Sequence, residues 1–209
     1  MEKSKERAQG GSLSGGQGFT LIEMAIVLII IGIIIGAVVK GKDLVRSAEQ
    51  KKVYSKFLNE WRVAYLNFYD RTGKILGDHT GSDGQADTSG GSDDLCTGDT
   101  TTTPPNYYGL SQVGLTCPTT NTGKDYQYRY TDSTGAAHLV TIAFKYDTTG
   151  KYNYMEITQI PNELCMAIDR MIDGEADGTA GDFIGDATSG KAWDTTPEAD
   201  TTARWKMEF

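Results

Sequence analysis

The feature that most constrains this chain is an uninterrupted apolar stretch close to its N-terminus. Residues 24–39 carry no charged and no polar side chain, and the wider segment 19–39 is interrupted only by Thr20 and Glu23. As an α-helix, this segment would extend for about 31 Å, which is enough to cross the hydrocarbon core of a bilayer. We call residues 19–39 the apolar span.

Three interpretations of the apolar span compete. A cleaved secretory signal has a shorter apolar core of about 7–15 residues and a small-residue cut site after it, whereas this span runs directly into Lys40, Lys42 and Asp43. A buried core helix that is apolar on all sides would need a larger protein to surround it. We therefore predict a retained, single-pass transmembrane helix. Charge does not set its orientation, because basic residues flank both ends.

The remainder of the chain is polar and acidic. The 209 residues include 28 Asp and Glu against 20 Lys and Arg, a net charge of −8, so we expect no nucleic-acid partner. Only two histidines are present, which leaves little material for histidine-based catalysis or a multi-histidine metal site. The sequence also lacks the fingerprints of serine hydrolases, zinc proteases, P-loop proteins and dinucleotide-binding folds. We therefore expect no enzymatic activity.

Glu23 is the unusual residue of the apolar span. It lies one turn into the predicted helix, where an unpaired carboxylate costs about 2–3 kcal/mol. Either its side chain reaches back to the membrane surface, or it pairs with a cation such as a free α-amino group. The surrounding residues, Gly-Phe-Thr-Leu-Ile-Glu-Met at positions 18–24, resemble the class III signal of type IV prepilins. That family includes type IV pilins and the pseudopilins of type II secretion.

The resemblance implies a processing pathway. A prepilin peptidase would cut between Gly18 and Phe19 and the new N-terminus at Phe19 would be methylated, with Glu23 as an assembly residue that pairs with the α-amino group of a neighbouring subunit. The leader would lie in the cytoplasm and Lys40 onward outside. The subunit would enter a homopolymer or mixed filament through an assembly platform in the inner membrane, ending in an extracellular pilus or a periplasmic pseudopilus.

Beyond the apolar span, the sequence predicts a continuing helix. No proline interrupts residues 19–72, and apolar residues recur at spacings of three and four, as on one helix face. We expect this face to pack on a sheet and the helix to end at Gly73. The residues of the face are Tyr54, Phe57, Leu58, Trp61, Ala64, Tyr65 and Phe68.

Alternating apolar residues predict three strands near 126–130, 139–146 and 152–160, separated by turn residues. Pro161 then suits the first turn of a short helix carrying Leu164, Cys165, Ile168 and Ile172. The predicted fold class is α+β: a pilin-like long N-terminal helix packed on a small antiparallel β-meander, with a further short helix and acidic loops.

The predicted organisation has five parts. They are a cleaved leader (1–18), a transmembrane and filament-core helix (19–41), the amphipathic half of the same helix (42–73), an acidic Gly- and Thr-rich connecting loop (74–124), and a globular β-meander head with acidic C-terminal loops (125–209). Between Lys74 and Lys124 there is no Lys or Arg, and we expect this composition to contribute no core. A short apolar patch after Pro104 and Pro105 could still dock on the head.

Cys96, Cys117 and Cys165 would all lie outside the inner membrane, where disulfides persist. One disulfide and one free thiol are expected, and three pairings are open. We favour Cys117–Cys165, since both flank the predicted sheet whereas Cys96 lies in the connecting loop.

An acidic loop follows the short predicted helix. Asp173, Glu175, Asp177 and Asp182 resemble the first half of an EF-hand calcium loop, although its twelfth position is Ile184 rather than a glutamate. These residues either bind Ca²⁺ weakly or form a solvated acidic turn. No other cofactor is expected.

The functional hypotheses are therefore three. The leading one is a structural subunit of a type IV pilus. The first alternative is a pseudopilin of a type II secretion system, and the second is a membrane-anchored, calcium-dependent binding module or adhesin.

Overall fold

The N-terminal helix is the dominant element. The computed structural model describes residues 18–80, 83–87, 94–186 and 191–208. Helix α1 covers Leu21–Val53, a π-helical turn covers Tyr54–Leu58, and helix α2 covers Asn59–Thr72. Gly73 ends the helix in the left-handed conformation, φ +66°, and its N–H donates to the carbonyl of Tyr69 at 2.7 Å. The predicted helix and its glycine cap are confirmed.

The chain divides into two compact units, the first ending at Leu44 and the second covering Val45–Phe209. In the described part of the first unit, residues 18–44, every residue is exposed. The second unit holds the core. Its sheet is antiparallel throughout, with strand order β1-β2-β3-β5-β4.

The first three strands form the predicted meander: β1 Gln127–Thr131, β2 Ala137–Asp147 and β3 Tyr152–Pro161. Helix α3 follows immediately at Asn162–Ile172, with Pro161 as its N-cap. Two further strands were not predicted. Strand β5, Asp200–Lys206, pairs with β3 and places Trp205 opposite Met155, and the short β4, Phe183–Gly185, pairs with the outer side of β5.

The aromatic face of the helix packs in the core of the second unit. The π-helical turn includes Phe57 and Leu58, which are both fully buried. Tyr65 stacks on Phe144 of β2, with ring centroids 5.1 Å apart, and the Trp61 indole N–H donates to the carbonyl of Asp125 at 3.1 Å. The stripe is therefore a packing surface, as its spacing predicts.

A buried charge network also attaches the helix to the second unit's core. Arg46 of α1 forms an ion pair with Glu163 at the start of α3, whose side chain is 4% exposed. The Tyr130 hydroxyl donates to the other oxygen of Glu163 at 2.7 Å. Both carboxylate oxygens are thus satisfied, which is the condition under which a buried carboxylate is tolerated.

The prediction for residues 74–124 needs one correction. The described part has no strand and only one short 3₁₀ helix, Ser111–Val113, as a loop should. It nevertheless contributes Leu76, Leu95 and Leu110 to the core, each at most 4% exposed. The few apolar side chains of this segment are enough to anchor it, because backbone and carboxylate hydrogen bonds hold the polar residues between them.

Asp99 provides one such anchor. Its carboxylate accepts hydrogen bonds from the Thr101 N–H and hydroxyl at 2.7 Å each, from the Thr102 hydroxyl, and from the Asn106 N–H at 3.0 Å. These bonds, led by the one from Thr102, hold the pKa of Asp99 well below its usual range. The polar residues that indicate a loop in the sequence thus also order it.

Candidate processing and assembly site

The predicted cleavage junction lies immediately before the first helix. Gly18 and Phe19 precede Leu21, the first residue of α1, and have no helical or strand structure. The Phe19 side chain is 79% exposed, and a Cβ built on Gly18 would meet no atom within 4 Å. The junction is therefore both irregular and accessible, as a peptidase substrate must be.

Glu23 and Thr20 form a reciprocal helix cap. Thr20 is the residue before the first helical turn, and its hydroxyl oxygen accepts from the Glu23 N–H at 3.3 Å. In return, one Glu23 carboxylate oxygen accepts from the Thr20 N–H and from the Thr20 hydroxyl, each at 2.8 Å. This arrangement is a capping box. Two backbone N–H groups of the first turn gain partners in this way.

The cap adds a third possibility to the two considered for Glu23. Within a single chain, the carboxylate has a local partner before any neighbouring subunit arrives. A negative side chain in the first turn also interacts favourably with the helix dipole. The role of Thr20 was not predicted, although the Thr-x-x-Glu spacing of residues 20–23 is a helix-start signal that can be recognised in the sequence.

The apolar span has no cover within its own unit. The helix Leu21–Thr72 is the one helix among the described residues that is long and apolar enough to cross a membrane, and its apolar window has no buried residue. Leu21, Ile33 and Ile35 are 92%, 67% and 59% exposed. In water, this much exposed apolar surface would drive association, so the span requires lipid or other helices around it.

A comparison with protein families finds one match, and it covers this region. A family model described as the prokaryotic N-terminal methylation motif matches residues 14–39. Residues 14–39 carry the class III prepilin signal of type IV pilins and pseudopilins. The chain has no match among curated proteins or solved structures.

The match confirms the predicted resemblance of this segment to a prepilin signal. Such a signal, which type IV pilins and pseudopilins share, implies processing by a prepilin peptidase and assembly into a filament. The exposed apolar span agrees with membrane anchoring before assembly. The α+β architecture, a long helix with an antiparallel sheet and a short helix, agrees with the predicted pilin-like fold.

No three of the four described carboxylates of the predicted calcium loop lie close enough to one another to hold one metal ion. Asp173 accepts from the N–H groups of Asp182 and Phe183 at 3.0 and 2.8 Å, and Asp177 accepts from those of Thr179 and Ala180. These bonds lower the pKa of Asp177. Glu175 and Asp182 are exposed. The structure thus gives Asp173 and Asp177 turn-forming roles, and calcium binding stays a prediction.

Asp169 of α3 is the residue that ties this loop down. It is fully buried, and one of its oxygens accepts from the Gly178 N–H at 3.0 Å and from the Trp193 indole N–H at 2.7 Å. Burial raises the pKa of this carboxyl; the two hydrogen bonds oppose the rise, and the nearby charges of Asp173 and Asp177 add to it. These contacts of Asp169 could not be predicted from the sequence, since they arise from tertiary packing.

The disulfide prediction was wrong. Cys96 is bonded to Cys117, with Cα atoms 5.7 Å apart, and Cys165 is a free, fully buried thiol in α3. Hydrogen bonds from Leu110 N–H to Leu95 O and from Ser111 N–H to Cys96 O, at 3.0 and 2.9 Å, draw the two parts of the loop together. Cys96 is therefore held beside Cys117, and it does not lie in a loose stretch.

The same two sulfurs belong to the one group of potential metal ligands in the described residues, Cys96, Cys117 and Asp125. Because the sulfurs are bonded to each other, they are not available as thiolate ligands.

Proposed function

We propose that this chain is a structural subunit of a type IV pilus. After cleavage between Gly18 and Phe19, it polymerises from the inner membrane through its N-terminal helix. The single observation that supports this most is the combination of a prepilin signal at 14–39 with an apolar span that has no cover of its own. Packing of spans against one another removes the same surface from water that the membrane covers before assembly.

Glu23 has a defined task in this proposal. In hydrocarbon, a carboxylate without a cationic partner is costly. The α-amino group created at Phe19 by cleavage is a cation of matching depth, so a neighbouring subunit offers Glu23 a partner that the uncleaved chain cannot. This pairing favours the docked subunit and fixes the axial offset between neighbours.

The test is protein mass spectrometry of surface filaments released by shearing. The proposal expects peptides of this chain in the released filaments and their loss from that fraction when the gene is deleted. A chain that dominates the fraction is the major subunit, and one present at low stoichiometry is a minor subunit.

The alternative is a pseudopilin of a type II secretion system. The prepilin signal is common to both classes, so it supports this alternative equally. Its filament stays in the periplasm. Absence from the sheared fraction, together with a secretion defect in the deletion strain, would replace the pilus proposal with this one.

A further inference from the structure

The sheet of the second unit has two edges that differ in length. One edge is β4, which has only three residues and whose Gly185 N–H donates to the carbonyl of Gly178 at 2.8 Å. The other edge is β1, Gln127–Thr131, which pairs with β2 on one side only. An edge strand presents N–H and C=O groups to which a strand of another chain can bond. The edge of β1 is therefore the longer surface for strand addition.

The composition of β1 favours strand pairing. Residues 126–131 are Tyr-Gln-Tyr-Arg-Tyr-Thr, which are rich in the aromatic and β-branched side chains that strands favour. They include no proline and no glycine, and Arg129 carries their one charge. Short segments of this kind pair with copies of themselves when their edge is exposed. The edge of β1 therefore needs protection if the sheets of neighbouring chains are to stay separate.

Alternate residues of β1 direct their backbone groups away from β2. The Ile142 N–H of β2 donates to the carbonyl of Tyr126, the residue before β1, at 3.0 Å. In an antiparallel pair, residues bonded to the partner strand alternate with residues whose N–H and C=O groups face the other side. Gln127 and Arg129 therefore direct these groups toward the open edge.

The side-chain amide of Asn121 bonds to both outward groups of Arg129. Its Oδ1 accepts from the Arg129 N–H at 2.7 Å, and its Nδ2 donates to the Arg129 carbonyl at 2.9 Å. A residue of a neighbouring antiparallel strand would make the same two bonds, one through its C=O and one through its N–H. The carboxamide of Asn121 therefore imitates the backbone of a pairing strand and occupies its place.

A turn of residues 120–124 satisfies the outward groups of Gln127. The Gln127 N–H donates to the carbonyl of Lys124 at 3.1 Å, and the Thr122 hydroxyl donates to the Gln127 carbonyl at 3.0 Å. The Thr120 hydroxyl closes the turn itself by donating to the carbonyl of Lys124 at 3.0 Å. This half of the edge is thus paired without the addition of a strand.

The far end of β1 is bordered by charged side chains. Thr131 lines a cavity of about 230 Å³ together with Arg129 of the same strand and Glu49 and Lys52 of α1. A strand added to this half of the edge would remove these charged groups from water, which is costly unless they find new partners. Arg129 is also exposed, and two β1 strands paired about this residue would bring their guanidinium groups opposite each other.

We propose that the Asn121 side chain is an edge plug, which prevents the β1 strands of two copies of this chain from pairing. The excluded partner is a second copy because pairing about Arg129 would place Tyr128 of each strand opposite Tyr130 of the other, a favourable cross-strand aromatic pair. The plug leaves association to the apolar span. This inference goes beyond the proposed function, and its test does not depend on whether the chain enters a filament.

The experiment uses the full-length chain, solubilised in detergent, with Arg129→Cys as the reporter. The Cys165 thiol is buried, so the thiol introduced at position 129 is the accessible one. In a β1 pair centred on this position, the two Cα atoms would lie about 5.5 Å apart, a distance that a disulfide can bridge. Mild oxidation followed by non-reducing electrophoresis then measures how often two β1 strands meet.

We expect Arg129→Cys alone to stay largely monomeric. Asn121→Ala/Arg129→Cys should form about tenfold more disulfide-linked dimer, as the loss of two hydrogen bonds implies. The matched control, Thr120→Ala/Arg129→Cys, loses a hydrogen bond of the same turn but keeps the plug, and it should behave like Arg129→Cys alone. Equal dimer yields with and without Asn121→Ala would overturn the proposal. A control that dimerises as strongly as the Asn121 variant would also overturn it, since loosening of the turn would then be the cause.

Hydrogen exchange of Asn121→Ala in the otherwise unaltered chain gives a second measurement. In dilute solution the Arg129 amide should exchange faster than in the wild type, because it has lost its acceptor. The amides of β2 and β3 should stay protected, which shows that the fold is intact. Protection of the Arg129 amide should return at high protein concentration, as β1 strands pair. Unchanged exchange in dilute solution, or fast exchange at every concentration, would contradict the plug.

Discussion

Glu23 and Thr20 hold each other through three hydrogen bonds across the first turn of the N-terminal helix. The residue expected to pair with a neighbouring subunit therefore already caps the helix of its own chain. Loss of Glu23 removes two properties together: an acceptor for the Thr20 N–H and a negative charge. Substitutions can separate the two, because glutamine also serves as the third residue of a capping box.

We predict that Glu23→Ala and Glu23→Gln both insert into the membrane and are cleaved, and that both are incorporated poorly into filaments. The reason is that each lacks the charge that pairs with the α-amino group of Phe19 on the neighbour. The measurement is the ratio of assembled to membrane-bound protein for each variant. Normal assembly of Glu23→Gln alongside failure of Glu23→Ala would assign the role of Glu23 to the helix cap and refute the charge pairing.

We predict that Gly18→Val retains residues 1–18 and does not assemble. A Cβ at position 18 meets no neighbouring atom within 4 Å, so the substitution leaves the folded chain undisturbed and acts on recognition by the peptidase. Immunoblotting of membranes should show only the larger precursor. Gly73→Ala, placed at a left-handed helix cap, is a control that perturbs the fold and should leave cleavage intact. Efficient cleavage of Gly18→Val would contradict the assigned junction.

We predict that non-reducing digestion yields a peptide that links Cys96 to Cys117. The loop of 21 residues that this bond closes corresponds to about 3 kcal/mol of stability in the chain-entropy description. Cys96→Ser should therefore lower the Tm, and Cys117→Ser should lower it by a similar amount. Burial raises the pKa of the Cys165 thiol, so alkylation of Cys165 should require unfolding. A peptide that links Cys117 to Cys165 would contradict the structure.

We predict that thermal stability falls as the pH rises above about 6.5, the usual pKa of histidine. His138 of β2 lies between Asp200 at 2.6 Å and Asp132 at 3.0 Å. Burial lowers the pKa of His138, but the hydrogen bonds and charges of the two carboxylates outweigh it and raise the pKa overall. A group with a raised folded pKa stabilises the protein below its unfolded pKa and loses that effect as the pH rises through the folded value.

The measurement for His138 is the Tm of the detergent-solubilised chain between pH 5 and pH 9. His138→Gln should abolish the decline, and His79→Gln, at the other histidine of the chain, should keep it. A wild-type Tm that does not change across this range would show that the histidine bridge is not stabilising.

The sequence predicted the elements whose signals are local. The helix, its glycine cap at Gly73, the β1–β3 meander and α3 each follow from spacing or turn residues within a short window. Strand β5 was missed because its partner β3 lies about 45 residues away and tertiary pairing decided its structure, as is common for strands. Strand β4 has only three residues and lies within an acidic, glycine-rich loop. It forms because it pairs with the edge of β5.

The features of the candidate site also fall into those with a local sequence signal and those that depend on tertiary structure. The junction at Gly18–Phe19 and the position of Glu23 follow from a contiguous motif, and Thr20 was equally readable from it. The cysteine pairing could not be predicted from a local motif, because the contact of Cys96 with Cys117 depends on how the loop folds over Leu95 and Leu110. Composition described that loop correctly as polar, but it did not reveal the few buried side chains that order it.

The central claim is that this chain is a prepilin cut between Gly18 and Phe19, and the intact mass of the mature protein tests it most directly. The protein is purified from the native host's membranes or filaments under reducing conditions and measured by mass spectrometry with N-terminal sequencing. The account predicts a chain of residues 19–209 that begins with N-methylated phenylalanine. A mature N-terminus at any other residue, or a chain that retains residues 1–18 in assembled filaments, would contradict it.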